Sequence, residues 1–171
     1  MKGRICSLVA AALACACTAR PSVSDTGFVG TWARSGAIGG YRSIVSILKD
    51  GDRWLFRWKL DTEDGTWKVR CDWSGRCEEF VDEKRIGTYT FHVREEPGQD
   101  FLSVDCVRED LREGRNGYHY RDELVLNPGG LSVTTYTLEL NGTLYPRESA
   151  RKLTLEKISN TVADPPPGFG S

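Results

Sequence analysis

His92 and His119 are the two histidines of the sequence, and their ordinary pKa suits proton transfer near neutrality. Each sits among apolar alternating neighbours: His92 between Phe91 and Val93, His119 between Tyr118 and Tyr120. In a strand, that spacing turns both imidazoles to the outer, solvated face, away from the cleft and partner a catalytic base needs. Asp122 differs. It keeps step with Tyr118, Tyr120, Leu124 and Leu126, so strict alternation points its carboxylate inward, where an unpaired charge is costly. A bulge or rim position, an internal salt bridge, or a polar contact to a bound ligand each accounts for it. The sequence contains no Gly-x-Ser-x-Gly, no phosphate-cradling loop and no His-Glu-x-x-His. It is therefore expected not to be an enzyme and to need no cofactor.

The thiols offer cross-linking rather than catalysis. Cys71 and Cys77 flank Asp72-Trp73-Ser74-Gly75-Arg76, a spacing that lets a hairpin be bridged across its own loop with Cα atoms in the usual 4.4–6.8 Å window. Cys106 continues the apolar stripe of Leu102 and Val104, so it reads as a buried free thiol, or as a partner for Cys71 or Cys77 should those strands be neighbours. These cysteines and the two histidines lack the four-ligand spacing of a zinc site, and no metal is expected.

Strands must position these residues. Period-2 alternation recurs along the chain and no stretch of helical periodicity interrupts it. Trp54, Phe56, Trp58 and Leu60 share one face of a strand whose other face carries Arg53, Leu55, Arg57 and Lys59. Similar stripes are Trp67, Val69, Cys71; Tyr89, Phe91, Val93; Leu102, Val104, Cys106; and Tyr136, Leu138, Leu140. Turn signals part them, among them Asp50-Gly51, Asp64-Gly65, Asn116-Gly117, Pro128-Gly129-Gly130 and Asn141-Gly142. Strands are expected near 29–35, 41–49, 53–60, 65–71, 77–83, 87–94, 101–107, 117–126, 131–140 and 151–158. The fold class is all-β: an antiparallel up-and-down meander of about 8–10 strands, closed into a barrel because an open sheet of that width leaves long edges exposed. A sandwich is the other arrangement such strand spacing allows. The mixed-charge run Arg108–Arg115 reads as a solvated connection.

The ends have a different composition. Lys2 and Arg4 precede about eleven apolar or small residues from Ile5 to Cys15, too short for the roughly 20 residues that cross a bilayer. Residues 1–14 therefore read as a cleavable signal peptide. Thr18 to Gly27 is small and polar, suiting a tether, and residues 161–171, with Pro165-Pro166-Pro167, read as a disordered tail. The β domain is bounded at 28 and 160. Removal of the signal leaves 21 basic against 24 acidic residues, a net charge of −3 and no electrostatic footprint for nucleic acid.

Two resemblances refine this. Ala12-Leu13-Ala14-Cys15 resembles the cleavage box of bacterial lipoprotein precursors, with Ala14-Cys15-Ala16-Cys17 as a second fit. That implies acylation, with palmitate among the chains, at Cys15 or else Cys17. Residues 15–27 then form a lipidated, flexible N-terminus, and the protein is held through that anchor on the outer membrane facing the periplasm. Cleavage after Ala16 or Ala19 instead leaves a soluble periplasmic protein. Phe28-Val29-Gly30-Thr31-Trp32 resembles the lipocalin superfamily, where a Gly-x-Trp opens the first strand and the Trp closes the barrel base. The resemblance implies that an arginine near the last strand covers Trp32: Arg151, or Arg147.

The expected function is a non-enzymatic envelope binding module for a small hydrophobic or amphipathic ligand, with Trp54, Phe56, Trp58, Tyr118, Tyr120 and Asp122 as its binding residues. The alternative is a protein-interaction role, similar to the small β-barrel lysozyme inhibitors, in which loops 72–76 or 108–116 meet another envelope protein.

Overall fold

The computed structural model describes residues 25–34, 41–96, 100–140, 143–144, 146 and 150–167. The signal segment, Cys15 and Cys17, the tether up to residue 24, Arg147 and residues 168–171 lie outside the described residues. A single helical turn, α1 (Asp25–Phe28), precedes β1 (Gly30–Arg34), β2 (Tyr41–Asp50), β3 (Arg53–Thr62), β4 (Trp67–Cys71) and β5 (Arg76–Val81). There follow β6 (Lys84–Glu95), β7 (Phe101–Asp110), β8 (Tyr118–Asn127), β9 (Gly130–Leu140), the short β10 (Thr143–Leu144) and β11 (Arg151–Ser159).

Successive strands from β1 to β9 pair antiparallel with their neighbours; β9 also pairs with β11, and β11 returns to β1. Ten strands thus close a meander barrel, and β10 merely extends β9 through Thr143↔Leu140. Closure satisfies the backbone donors and acceptors that an open sheet of this width would present at its edges. The expected strands all form, most with ends within a few residues.

Departures have local causes. The β5–β6 turn is made by Asp82 and Glu83, both in the left-handed region with φ of 48° and 62°, so the hairpin closes without the glycine that usually marks it. On β9 the inward residues are Leu131, Val133, Thr135 and Thr137, and a shift of register against β8 then brings Leu140 inward. The expected buried stripe Tyr136, Leu138, Leu140 is corrected accordingly: Tyr136 faces outward and donates its hydroxyl to Glu123 at 3.0 Å. Within the stretch 161–171, read as a disordered tail, Ala163 and Asp164 lie against the barrel. Arg57 donates to the carbonyl of Ala163, and Trp73 Nε1 donates to that of Asp164 at 2.6 Å.

One end of the barrel is plugged. Phe28 and Trp32 are 1% and 3% exposed, and Trp32 Nε1 donates to the Phe28 carbonyl at 2.9 Å. Gly30 is required between them: its φ is 138°, and a Cβ there would stand 2.5 Å from the Ser159 carbonyl oxygen. The cation over the Trp32 ring is Lys157, 5.1 Å from its centroid. Arg151, expected in that role, lies at the other end of the barrel, where β11 begins.

Candidate binding cavity

A ring of ten strands is wider than the eight-stranded barrels that side chains can just fill. Here the two halves of the interior are occupied unequally. Toward β5, β6 and β7 the space is taken by Tyr89, Phe91, Cys106 and an ion pair; toward β2, β9 and β11 the inward residues include Ser43, Thr135 and Thr137, too small to meet them. A cavity of about 530 Å³ remains, with walls of Val45, Phe56, Trp58, Leu60, Phe91, Tyr118, Tyr120, Val133 and Leu155. Its rim is drawn from the strand ends opposite the Trp32 plug, with Arg34, Trp67, Leu140 and Arg151. Size and lining match what small-molecule sites show: mostly apolar and aromatic, with a few placed polar groups.

Those polar groups are mostly tied down. Trp58 Nε1 donates to Ser43 Oγ at 2.8 Å, and the Tyr89 and Tyr118 hydroxyls lie 3.1 Å apart. Asp122 does face inward, as its register demands, and accepts a 2.6 Å hydrogen bond from Thr135 Oγ1. Burial pushes its carboxyl up to about 7, against the smaller downward pull of that hydrogen bond. Burial also raises the neighbouring Tyr120 phenol and Cys106 thiol, so both stay neutral.

Beside the cavity lies an ion cluster. Arg108 donates from Nε at 2.8 Å to Glu79 Oε2, with Nη2 at 2.6 Å from the same oxygen, and Trp67 Nε1 donates to Glu79 Oε1 at 2.9 Å. Asp110 lies 2.9 Å from Arg108 Nη1, and Arg112 followed by Arg108 holds its carboxyl well below the usual range. The guanidinium of Arg108 stands 5.8 Å and 5.4 Å from the ring centroids of Tyr89 and Tyr118. The start of the run read as a solvated connection is therefore part of the interior. One signal pointed there: Arg108 continues the stripe of Leu102, Val104 and Cys106.

Of the expected binding residues, Phe56, Trp58, Tyr118, Tyr120 and Asp122 come together around the cavity. Trp54 does not join them. It packs against Phe28 with ring centroids 5.9 Å apart and donates to Glu95 Oε1 at 2.7 Å, at the plugged end. Cys71 and Cys77 are bonded across their hairpin as direct cross-strand partners, with Cα atoms 3.9 Å apart, closer than the expected window, and Cys106 is a buried free thiol. His92 is exposed, and His119 lies 3.9 Å from Asp105 on the outer face, where Arg121 and Arg94 also bind that carboxylate. Among the described residues no group of three or more His, Cys, Asp or Glu is placed to hold a metal ion.

Compared with known proteins, the chain matches no family model, no curated protein and no solved structure.

Proposed function

We propose that this protein is a non-enzymatic binding module that carries a small hydrophobic or amphipathic ligand inside its barrel. The observation that carries this reading is the cavity of about 530 Å³, walled by Phe56, Trp58, Tyr118 and Tyr120 and rimmed by the strand ends opposite the buried Phe28 and Trp32. Such a container buries most of an apolar molecule while leaving a route in and out. The Gly30-x-Trp32 start and the meander order support a lipocalin-like arrangement, although its ring has ten strands and its Trp is covered by Lys157.

We propose a location as well. The basic start, short apolar run and small-residue box before Cys15 support export and lipid attachment at Cys15 or Cys17, with the barrel at the outer membrane on its periplasmic side. Removal of the signal without acylation would leave it soluble in the same compartment. Labelling with a palmitate analogue, comparing Cys15→Ser with Cys17→Ser, tests the anchor; label retained by both variants removes it.

The binding role is tested by native mass spectrometry of the gently extracted full chain. A co-purifying small molecule, lost when Thr137→Trp fills the cavity, is the expected result. A bare chain that also fails to take up any apolar probe would overturn the reading.

A further inference from the structure

The inner end of the cavity selects among ligands, an inference that rests on the cavity being a ligand site. Asp122 lies deeper than Tyr120 and Tyr118 on β8, with Val104 beside it on β7 and Thr135 on β9. Leu124, the next inward residue of β8, is fully buried and apolar, so the carboxyl is the last polar group of that wall. Its hydrogen bond from Thr135 leaves acceptor capacity on the carboxylate. Among the described residues no basic side chain is paired with it.

Arg34 and Arg151 also line the cavity, Arg151 in the same cross-strand row as Asp122 with Thr135 between them, yet neither is ion-paired with its carboxyl. Arg108 is committed to Glu79 and Asp110; Cys106 and Tyr120, packed beside Asp122, stay neutral. The aromatic side chains that share the cavity with the carboxyl are Phe56, Trp58, Trp67, Phe91, Tyr118 and Tyr120, whose ring faces attract cations.

We propose that the cavity binds an organic ammonium compound with an apolar body, its cationic nitrogen set on Asp122 and its body against Phe56, Trp58 and Tyr120. An ammonium supplies both the counter-charge and the donors the buried carboxylate lacks. A neutral alcohol of the same length supplies a donor alone, and a fatty carboxylate brings a second negative charge to the same place. The site also couples to pH. With its carboxyl held up to about 7 by burial, Asp122 must lose its proton to accept an ammonium below that pH. Affinity therefore rises about tenfold per unit up to that point and levels above it.

Calorimetric titration of the full chain with decylamine, decanol and decanoate at pH 6 and pH 8 tests this. Decylamine is expected to bind at least about tenfold more tightly than decanol at pH 8, to release a proton from the protein at pH 6, and to lose its advantage in Asp122→Asn. Decanol or decanoate binding as tightly as decylamine overturns the ammonium inference and leaves the ligand-carrier reading standing. Failure of all three to bind overturns both. Should Asp122→Asn not fold, the unmutated chain still decides the matter: equal decylamine affinity at the two pH values overturns the role of Asp122.

Discussion

Arg108 Nε and Nη2 converge on a single oxygen of Glu79, at 2.8 Å and 2.6 Å, with both side chains only 6% exposed. Two opposite charges buried beside a cavity hold each other in place: removing Arg108 strands Glu79, and removing Glu79 leaves Arg108 with Asp110 alone.

Arg108→Met and Glu79→Gln are each expected to destabilise the fold by about 3–5 kcal/mol, measured by urea denaturation. The pair Arg108→Met with Glu79→Leu is expected to recover much of that loss, because neither half of the pair is then stranded and Asp110 keeps Arg112 as its partner. A double variant as unstable as the sum of the singles would mean that the two side chains are not energetically coupled.

Asp122 gives the fold a distinct pH response. Its carboxyl titrates near 7 when folded and near 3.8 as a free side chain, so between these values the folded chain holds more protons than the unfolded one. Stability contributed by this group is therefore full below about pH 4, falls as pH rises to about 7, and is flat above. Asp122→Asn removes that slope, so the variant gains on the parent protein between pH 5 and pH 8. Denaturation midpoints at the two values measure the gain; equal differences at both would show that Asp122 is not shifted.

Gly30→Ala meets both a disfavoured φ and the Ser159 carbonyl, whereas Gly129→Ala has open space around the new methyl. The first is expected to cost about 2 kcal/mol or more, through the entry of β1 and the seating of Trp32. The second should change the melting temperature little. Comparable losses in the two would place the constraint elsewhere.

Reduction of Cys71–Cys77 opens a loop of sequence separation 6, and chain entropy assigns so small a loop roughly 2 kcal/mol. The melting temperature should fall by several degrees under reductant while the far-ultraviolet spectrum keeps its β character. Cys106, fully buried, is expected to resist alkylation until the barrel unfolds.

The alternation of residues such as Trp54, Phe56, Trp58 and Leu60 made the strands legible, since a period of two leaves one face to bury. It also announced Asp122, whose inward carboxylate is a direct consequence of register. Two things escaped. Alternation says that a residue points inward, not how deep along the barrel it lies, so Trp54 was grouped with Phe56 and Trp58 although it belongs to the plug. It also fails wherever the pairing slips, as between Thr137 and Leu140 on β9. The Glu79–Arg108 pair was hidden for another reason: the stripe of Leu102, Val104 and Cys106 points Arg108 inward, but its partner is brought to it only by the strands, from 29 positions apart.

The ladder between β3 and β4 spans only Lys59 to Asp61, leaving the first half of β3 without a backbone partner on that side. A hoop with one short stave has a preferred line of opening. Amide protons of Arg53 to Arg57 that point across this line are the ones from which solvent should draw exchange first, ahead of the long β2–β3 and β6–β7 ladders. Over the same line the Asp164 carbonyl takes hydrogen bonds from Arg57 on one bank and Trp73 on the other, a latch made by the last described stretch of the chain. Ala163 and Asp164 thus join what the strands leave apart.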